Sequence, residues 1–158
     1  MTLIALGINH NTAAVDVREA VSFAPDQMHD ALVSAKQSGA LSEVAILSTC
    51  NRTEVYAEVA GDNNELLSWL ASYHNTPLEQ LKPCHYLHAG EDAARHMMKV
   101  ASGLDSLVLG EPQILGQMKS AYASASDAGS LGSKLHGAFH KVFSVAKRVR
   151  SETAIGEN

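Results

Sequence analysis

The chain has 158 residues, 46% of them hydrophobic and 18% charged, the profile of one globular domain long enough to bury a core. No stretch approaches the roughly 20 apolar residues of a membrane span, and the start Met1-Thr2-Leu3-Ile4-Ala5-Leu6-Gly7 has neither a charged leader nor a cleavage site, so no membrane partner and a cytoplasmic location are expected. The formal charge of −5 argues against a general nucleic-acid binder, yet residues 134–150 hold Lys134, Lys141, Lys147, Arg148 and Arg150 and no acid, a basic segment on an acidic body.

In chain order, Leu3 to Ile8 is a short apolar run ending at Asn9-His10-Asn11 and reads as a buried strand. Pro25 and Asp26 open a helical pattern with Met28, Ala31, Leu32 and Ala35 on one face, closed by Gly39. Glu43 to Ser48 is rich in strand formers. Thr53 to Val59 alternates Val55, Ala57 and Val59 with Glu54, Tyr56 and Glu58, the period-2 pattern of a half-buried strand, so Thr49 to Arg52 connects two strands. After Gly61-Asp62-Asn63, the spacing of Leu66, Trp69, Leu70 and Tyr73 predicts a second helix, and a brief strand follows at His85 to Leu87.

Strand, helix, strand, strand, helix, strand is the order of an α+β, ferredoxin-like (split βαβ) antiparallel sandwich with two helices on one sheet face. From residue 91 the pattern is helical, with Ala94, Met97, Met98 and Ala101 on one face and later Leu135, Phe139, Val142, Phe143, Ala146 and Val149 on another. The expected division is therefore an α/β sandwich over 1–90 and a helical segment over 91–150, together one catalytic domain. Residues 151–158, without cap or stop signal, read as the start of a linker.

Two cysteines far apart, without C-x-x-C spacing, give no disulfide framework. Cys84 follows Pro83 into a strand and reads as structural. Cys84, His85 and His88 fail as a zinc set because His85 lies on the opposite strand face and no second ligand pair is near, so no metal is expected. His136 and His140 have i, i+4 spacing but lack a metalloprotease glutamate and add to the basic face. Cys50 differs: it sits in a polar connection beside Thr49, Asn51 and Arg52, where a guanidinium can favour the nucleophilic thiolate. Between Val100 and Gln117, the glycines 103, 110 and 116 make no phosphate loop, but Asp105, Ser106, Glu111, Gln113 and Gln117 are polar groups able to bind a polar substrate. Propensity alone reads this stretch as helix caps around a turn.

Gly7-Ile8-Asn9-His10, Ser48-Thr49-Cys50-Asn51-Arg52-Thr53-Glu54 and Ala101 to Gln117 together resemble the signatures of glutamyl-tRNA reductase, covering only that enzyme's N-terminal catalytic part. The resemblance implies that Cys50 attacks the ester of glutamyl-tRNA, forming a thioester that NADPH, bound by a domain absent here, reduces to glutamate-1-semialdehyde for tetrapyrrole synthesis. It further implies that Thr49, Asn51, Arg52, Ser106, Glu111, Pro112, Gln113 and Gln117 line the glutamate pocket, with Arg52 holding the substrate carboxylate. His96 matches a position required for activity, as acid/base or as an orienting group. Implied partners are glutamyl-tRNA, a second subunit through an absent C-terminal domain, and the next enzyme, glutamate-1-semialdehyde aminomutase. The basic helix is a candidate tRNA contact on charge alone. The rival expectation is a non-catalytic RNA- or protein-binding module, with Tyr56 as the one aromatic placed to stack a base from a central strand.

Overall fold

A computed structural model describes residues 1–61 and 64–153. Among the described residues, four strands, β1 (Thr2–Asn9), β2 (Leu41–Ser48), β3 (Arg52–Val59) and β4 (Tyr86–Ala89), form one antiparallel sheet in the order β2-β3-β1-β4. The helices are α1 (Val15–Ala20), α2 (Met28–Gln37), α3 (Asn64–Tyr73), α4 (Leu78–Leu81), α5 (Glu91–Ala101), α6 (Gln113–Asp127) and α7 (Ser133–Glu152). Part of the turn at Gly61-Asp62-Asn63 and residues 154–158 of the expected linker lie outside the described residues. Helix α7 runs two residues beyond the expected boundary at 150.

One face of the sheet carries Ile4, Leu6, Ile8, Val44, Ile46, Val55 and Ala57 and packs on α2 and α3 through Leu32, Ala35, Leu66 and Leu70. Here the alternation in β1 and β3 does what period 2 requires. Gly39 ends the α2 region at φ +83°, a conformation that glycine adopts without steric cost.

The other face corrects the reading of β3. Every residue of this strand is buried, including Glu54 and Tyr56 at 0% exposure, because α5, α6 and α7 cover the face that the alternating Glu54, Tyr56 and Glu58 seemed to present to water. Helices therefore lie on both faces of the sheet. The second core sets small residues, Ala5 and Ala45 of the sheet and Ala93, Ala101, Ala121, Ala125 and Ala146 of the helices, among larger ones that include Leu47, Met97, Val100, Ile114, Met118, Leu135, Phe139 and Val142. Tyr56 meets Phe139 edge to face at 5.9 Å, so it is a core residue and offers no stacking surface to a base.

The helical stretch from residue 91 is interrupted at 102–112, where the chain makes a loop between α5 and α6. The helix α1 escaped the sequence reading: six residues, none buried, give no apolar periodicity to detect. Cys84 ends a 3₁₀ turn (Lys82–Cys84) just before β4, half-buried, its thiol donating to the carbonyls of Gln80 and Leu81, and burial raises its pKa.

Candidate functional site

The β2–β3 hairpin closes through Ser48 opposite Thr53 and through the Thr49 amide donating to the Arg52 carbonyl at 2.8 Å. The Thr49 hydroxyl accepts from the amides of Asn51 and Arg52, both at 3.2 Å. These bonds fold the turn around its own threonine and leave Cys50 exposed at the tip. Arg52 is the first residue of β3, not part of the connection.

Cys50 opens onto a cavity of about 150 Å³, lined on the hairpin side by Thr49, Asn51 and Arg52. Its other wall comes from Ser106, Leu107, Val108 and Glu111 of the 102–112 loop and from Gln113, Ile114 and Gln117 at the start of α6. Two segments some 55 residues apart thus meet around one thiol, and of the ten expected site residues only Pro112 and His96 do not line this cavity. Pro112 is the N-cap of α6. The Glu111 carboxylate accepts from the amides of Gln113 and, at 3.1 Å, Ile114, so it caps α6 while facing the cavity. Sequence reasoning missed the apolar lining, Leu107, Val108 and Ile114, which looked like ordinary loop and helix hydrophobics.

It also missed Glu54, the buried hub behind the cavity. Its Oε1 accepts from Tyr56 at 2.5 Å, and its Oε2 accepts from Arg52 Nη1 at 3.0 Å, from His96 Nε2 at 2.7 Å and from the Tyr86 hydroxyl. Burial would raise this carboxyl; the bond and charge of His96, then Arg52 and Tyr56, outweigh it and hold the pKa at about 2. Burial together with the Glu54 carboxylate pushes the Tyr86 and Tyr56 hydroxyls well above the ordinary phenol value, so both remain donors. Gly7 makes the hub possible. It lies opposite Glu54 on one side and Tyr86 on the other, and a Cβ there would stand 2.8 Å from Glu54 Cγ and from Tyr86 Oη. The Arg52-x-Glu54-x-Tyr56 spacing, which puts three polar groups on one strand face, was the available sequence signal.

Arg52 is 2% exposed at its side chain and bonds Asp105 as well, Nη1 to Oδ2 at 3.0 Å and Nη2 to the carbonyl at 2.6 Å. Burial disfavours its charge, but Glu54 and Asp105 raise its pKa above the ordinary value, so it stays a cation. His96 stands on the far side of this network. It stacks on His88 at 4.4 Å and lines a separate open groove of about 300 Å³ with Asn9, Tyr86, Lys99 and Asp105. Two expectations about the helices separate here: His136 Nδ1 and His140 Nε2 both meet the Tyr122 hydroxyl, at 2.8 and 3.2 Å, and Arg150 turns inward to backbone carbonyls rather than joining an outer basic face. Among the described residues, no group of three or more His, Cys, Asp or Glu is placed to hold a metal ion, and no helix is long and apolar enough to cross a membrane.

The sequence profile of the glutamyl-tRNAGlu reductase N-terminal domain matches residues 6–153. The whole chain is 66% identical to a glutamyl-tRNA reductase of Saccharophagus degradans and 64% identical to one of Teredinibacter turnerae, spanning 37% and 38% of their lengths. The solved glutamyl-tRNA reductase from Methanopyrus kandleri superposes with a TM-score of 0.80 at 35% identity over 96% of this chain and 35% of that one. The chain thus spans somewhat more than a third of the relatives it matches. An exposed cysteine on a polar cavity, built by the same segments that carry the family's signatures, agrees with these likenesses, and the chain belongs to the glutamyl-tRNA reductase N-terminal domain family.

Proposed function

We propose that this chain is the acyl-accepting catalytic domain of a glutamyl-tRNA reductase, with residues 1–150 as the glutamyl-binding unit and 151–158 as the start of a linker. The observation that carries the reading is the exposed Cys50 thiol at the mouth of a cavity whose polar lining matches a glutamyl group. The Cys50 thiolate attacks the ester carbonyl carbon, the bond from that carbon to the ribose oxygen breaks, and the tRNA leaves with a proton while the glutamyl group stays as a thioester.

Three of the five N–H groups of Arg52 bond Glu54 and Asp105. In this reading the remaining two receive the substrate carboxylate in a fork. Ser106, Gln113 and Gln117 bond the amino and carboxylate groups, Thr49 and Asn51 hold the thiol's turn, and Glu111 with Pro112 sets the start of α6. The bond from His96 to Glu54 supports an orienting role for His96, which keeps Arg52 and its carboxylate partner in place.

NADPH is the reductant this family reading implies, supplied by the part of the relatives beyond this chain. The described residues do not fit it: their single sheet is antiparallel and has no glycine-rich strand-to-helix turn. The chain alone therefore reaches the thioester and, by water attack on it, free glutamate. In the whole enzyme NADPH would supply the reducing equivalent that turns the thioester into glutamate-1-semialdehyde, the aminomutase would receive that product, and dimerisation would rest on the C-terminal part of the relatives. The outer cations of α7, Lys134, Lys141, Lys147 and Arg148, are the proposed contact for the tRNA backbone, and the setting is cytoplasmic. The fold type in this reading is ferredoxin-like (split βαβ), supported by the order β2-β3-β1-β4.

Incubating the chain with labelled glutamyl-tRNA and mapping the adduct by mass spectrometry tests the proposal. A glutamyl group on Cys50, absent from Cys50→Ala, is expected; an equal yield from Cys50→Ala overturns it.

A further inference from the structure

The 102–112 loop supplies one wall of the cavity, and exposed Leu104, Leu107, Val108 and Leu109 show that it is not held by its own hydrophobic packing. Its neck is held from elsewhere. Gly103 and Gly110, at φ +78° and +77°, bring the two limbs together, with the Gly110 amide donating to the Gly103 carbonyl at 2.9 Å. Over this neck lies the guanidinium of Arg150, from the last turns of α7. Nη2 donates to the carbonyls of Ala101 at 3.3 Å and Glu111 at 2.8 Å, and Nη1 to that of Gly110 at 3.4 Å.

Ala101 precedes the loop, and Gly110 and Glu111 end it, so one planar cation ties both ends. A Cβ on Gly103 would stand 3.0 Å from Arg150 Nη2 and from Gly110 Cα, so the space left by the missing side chain is the space the guanidinium needs. Lysine, a single ammonium, has no fork to span three carbonyls in two chain segments. From this neck the loop sends Asp105 to Arg52 and Ser106 to the cavity, while Glu111 caps the helix that brings Gln113 and Gln117.

We propose that Arg150 is a positioning residue for acyl transfer: by clamping the neck of the 102–112 loop it holds the far wall of the Cys50 cavity in register with the hairpin. The inference rests on the proposed glutamyl-tRNA function and acts through substrate placement, not through the thiol. It separates Arg150 from the other cations of its helix, which face outward.

The test measures single-turnover glutamyl transfer to Cys50 against glutamyl-tRNA concentration in this chain, for the wild type, Arg150→Ala and Arg150→Lys. The half-saturating concentration is expected to rise roughly tenfold or more in both variants, with a smaller change in the maximal rate. The rate of Cys50 alkylation by iodoacetamide should stay near wild type, since the hairpin is untouched. Guanidinium ion at sub-denaturing concentration should restore part of the affinity of Arg150→Ala and none to Arg150→Lys, whose side chain still fills the site. Should Arg150→Ala fail to fold, the Arg150→Lys saturation curve decides alone. Saturation curves of the variants superposing on wild type would overturn the inference while leaving the proposed function standing; absence of any wild-type adduct would overturn the function itself.

Discussion

Replacing Glu54 by glutamine preserves the shape of the side chain and removes the charge on which four donors converge. Oε2 alone takes Arg52, His96 and Tyr86. An amide offers one carbonyl oxygen, and its NH₂ would face a donor whichever way it is placed. Breaking a fully buried ion pair from one side costs about 3–5 kcal/mol at neutral pH. The pH dependence gives a second measure. The folded pKa, about 2, lies below the ordinary 4.5, so the carboxylate contributes stability that is fully present above pH 4.5 and is lost as the pH falls toward 2. A difference of this size corresponds to about 3 kcal/mol, of which about 2 kcal/mol should be gone by pH 3. Urea unfolding of wild type and Glu54→Gln at several pH values between 7 and 3 checks both figures. The carboxylates common to both proteins cancel in the difference, so the gap between the curves should be widest at pH 7 and should narrow on acidification. A gap under about 1 kcal/mol at pH 7, or one that stays constant down to pH 3, would refute the account of Glu54 as an ionised hub.

Gly7→Ala places a methyl 2.8 Å from Glu54 Cγ and Tyr86 Oη, so it should cost about 1–3 kcal/mol and lower the thermal midpoint; an unchanged midpoint would contradict the tight fit over Gly7. Gly132→Ala puts its Cβ 2.5 Å from Glu43 Cδ, which must then release the Leu135 amide that it caps at 2.8 Å, and a loss of about 1 kcal/mol in urea unfolding is expected. Cys50→Ala should leave stability within about 0.5 kcal/mol, because the side chain is exposed at a turn, while ending glutamyl transfer; a large drop in the unfolding midpoint would mean that Cys50 supports the fold.

The amino-acid order by itself determined the hairpin and its tip. Apolar runs on either side of Ser48-Thr49-Cys50-Asn51-Arg52 put the cysteine in a connection, and turn chemistry local to Thr49 holds it there, so no distant residue is needed to predict its exposure. The stretch from Ala101 to Gln117 marked the second wall of the cavity only through its likeness to the family's signature, since propensity alone reads it as helix caps around a turn. What the order of residues left undecided is which partner each charged side chain meets. Glu54 alternates with Val55 exactly as a solvent-facing residue does, and only the descent of α5, α6 and α7 onto that face turns it into a buried carboxylate. Its partners come from β3, β4 and α5, and only packing brings those segments together. Arg150 reads as one more cation of a basic helix until the loop some 40 residues earlier presents three carbonyls to it. Local pattern fixes backbone state and sidedness, since both depend on near neighbours; the pairing of buried charges depends on tertiary packing, because only there does losing water make a partner compulsory.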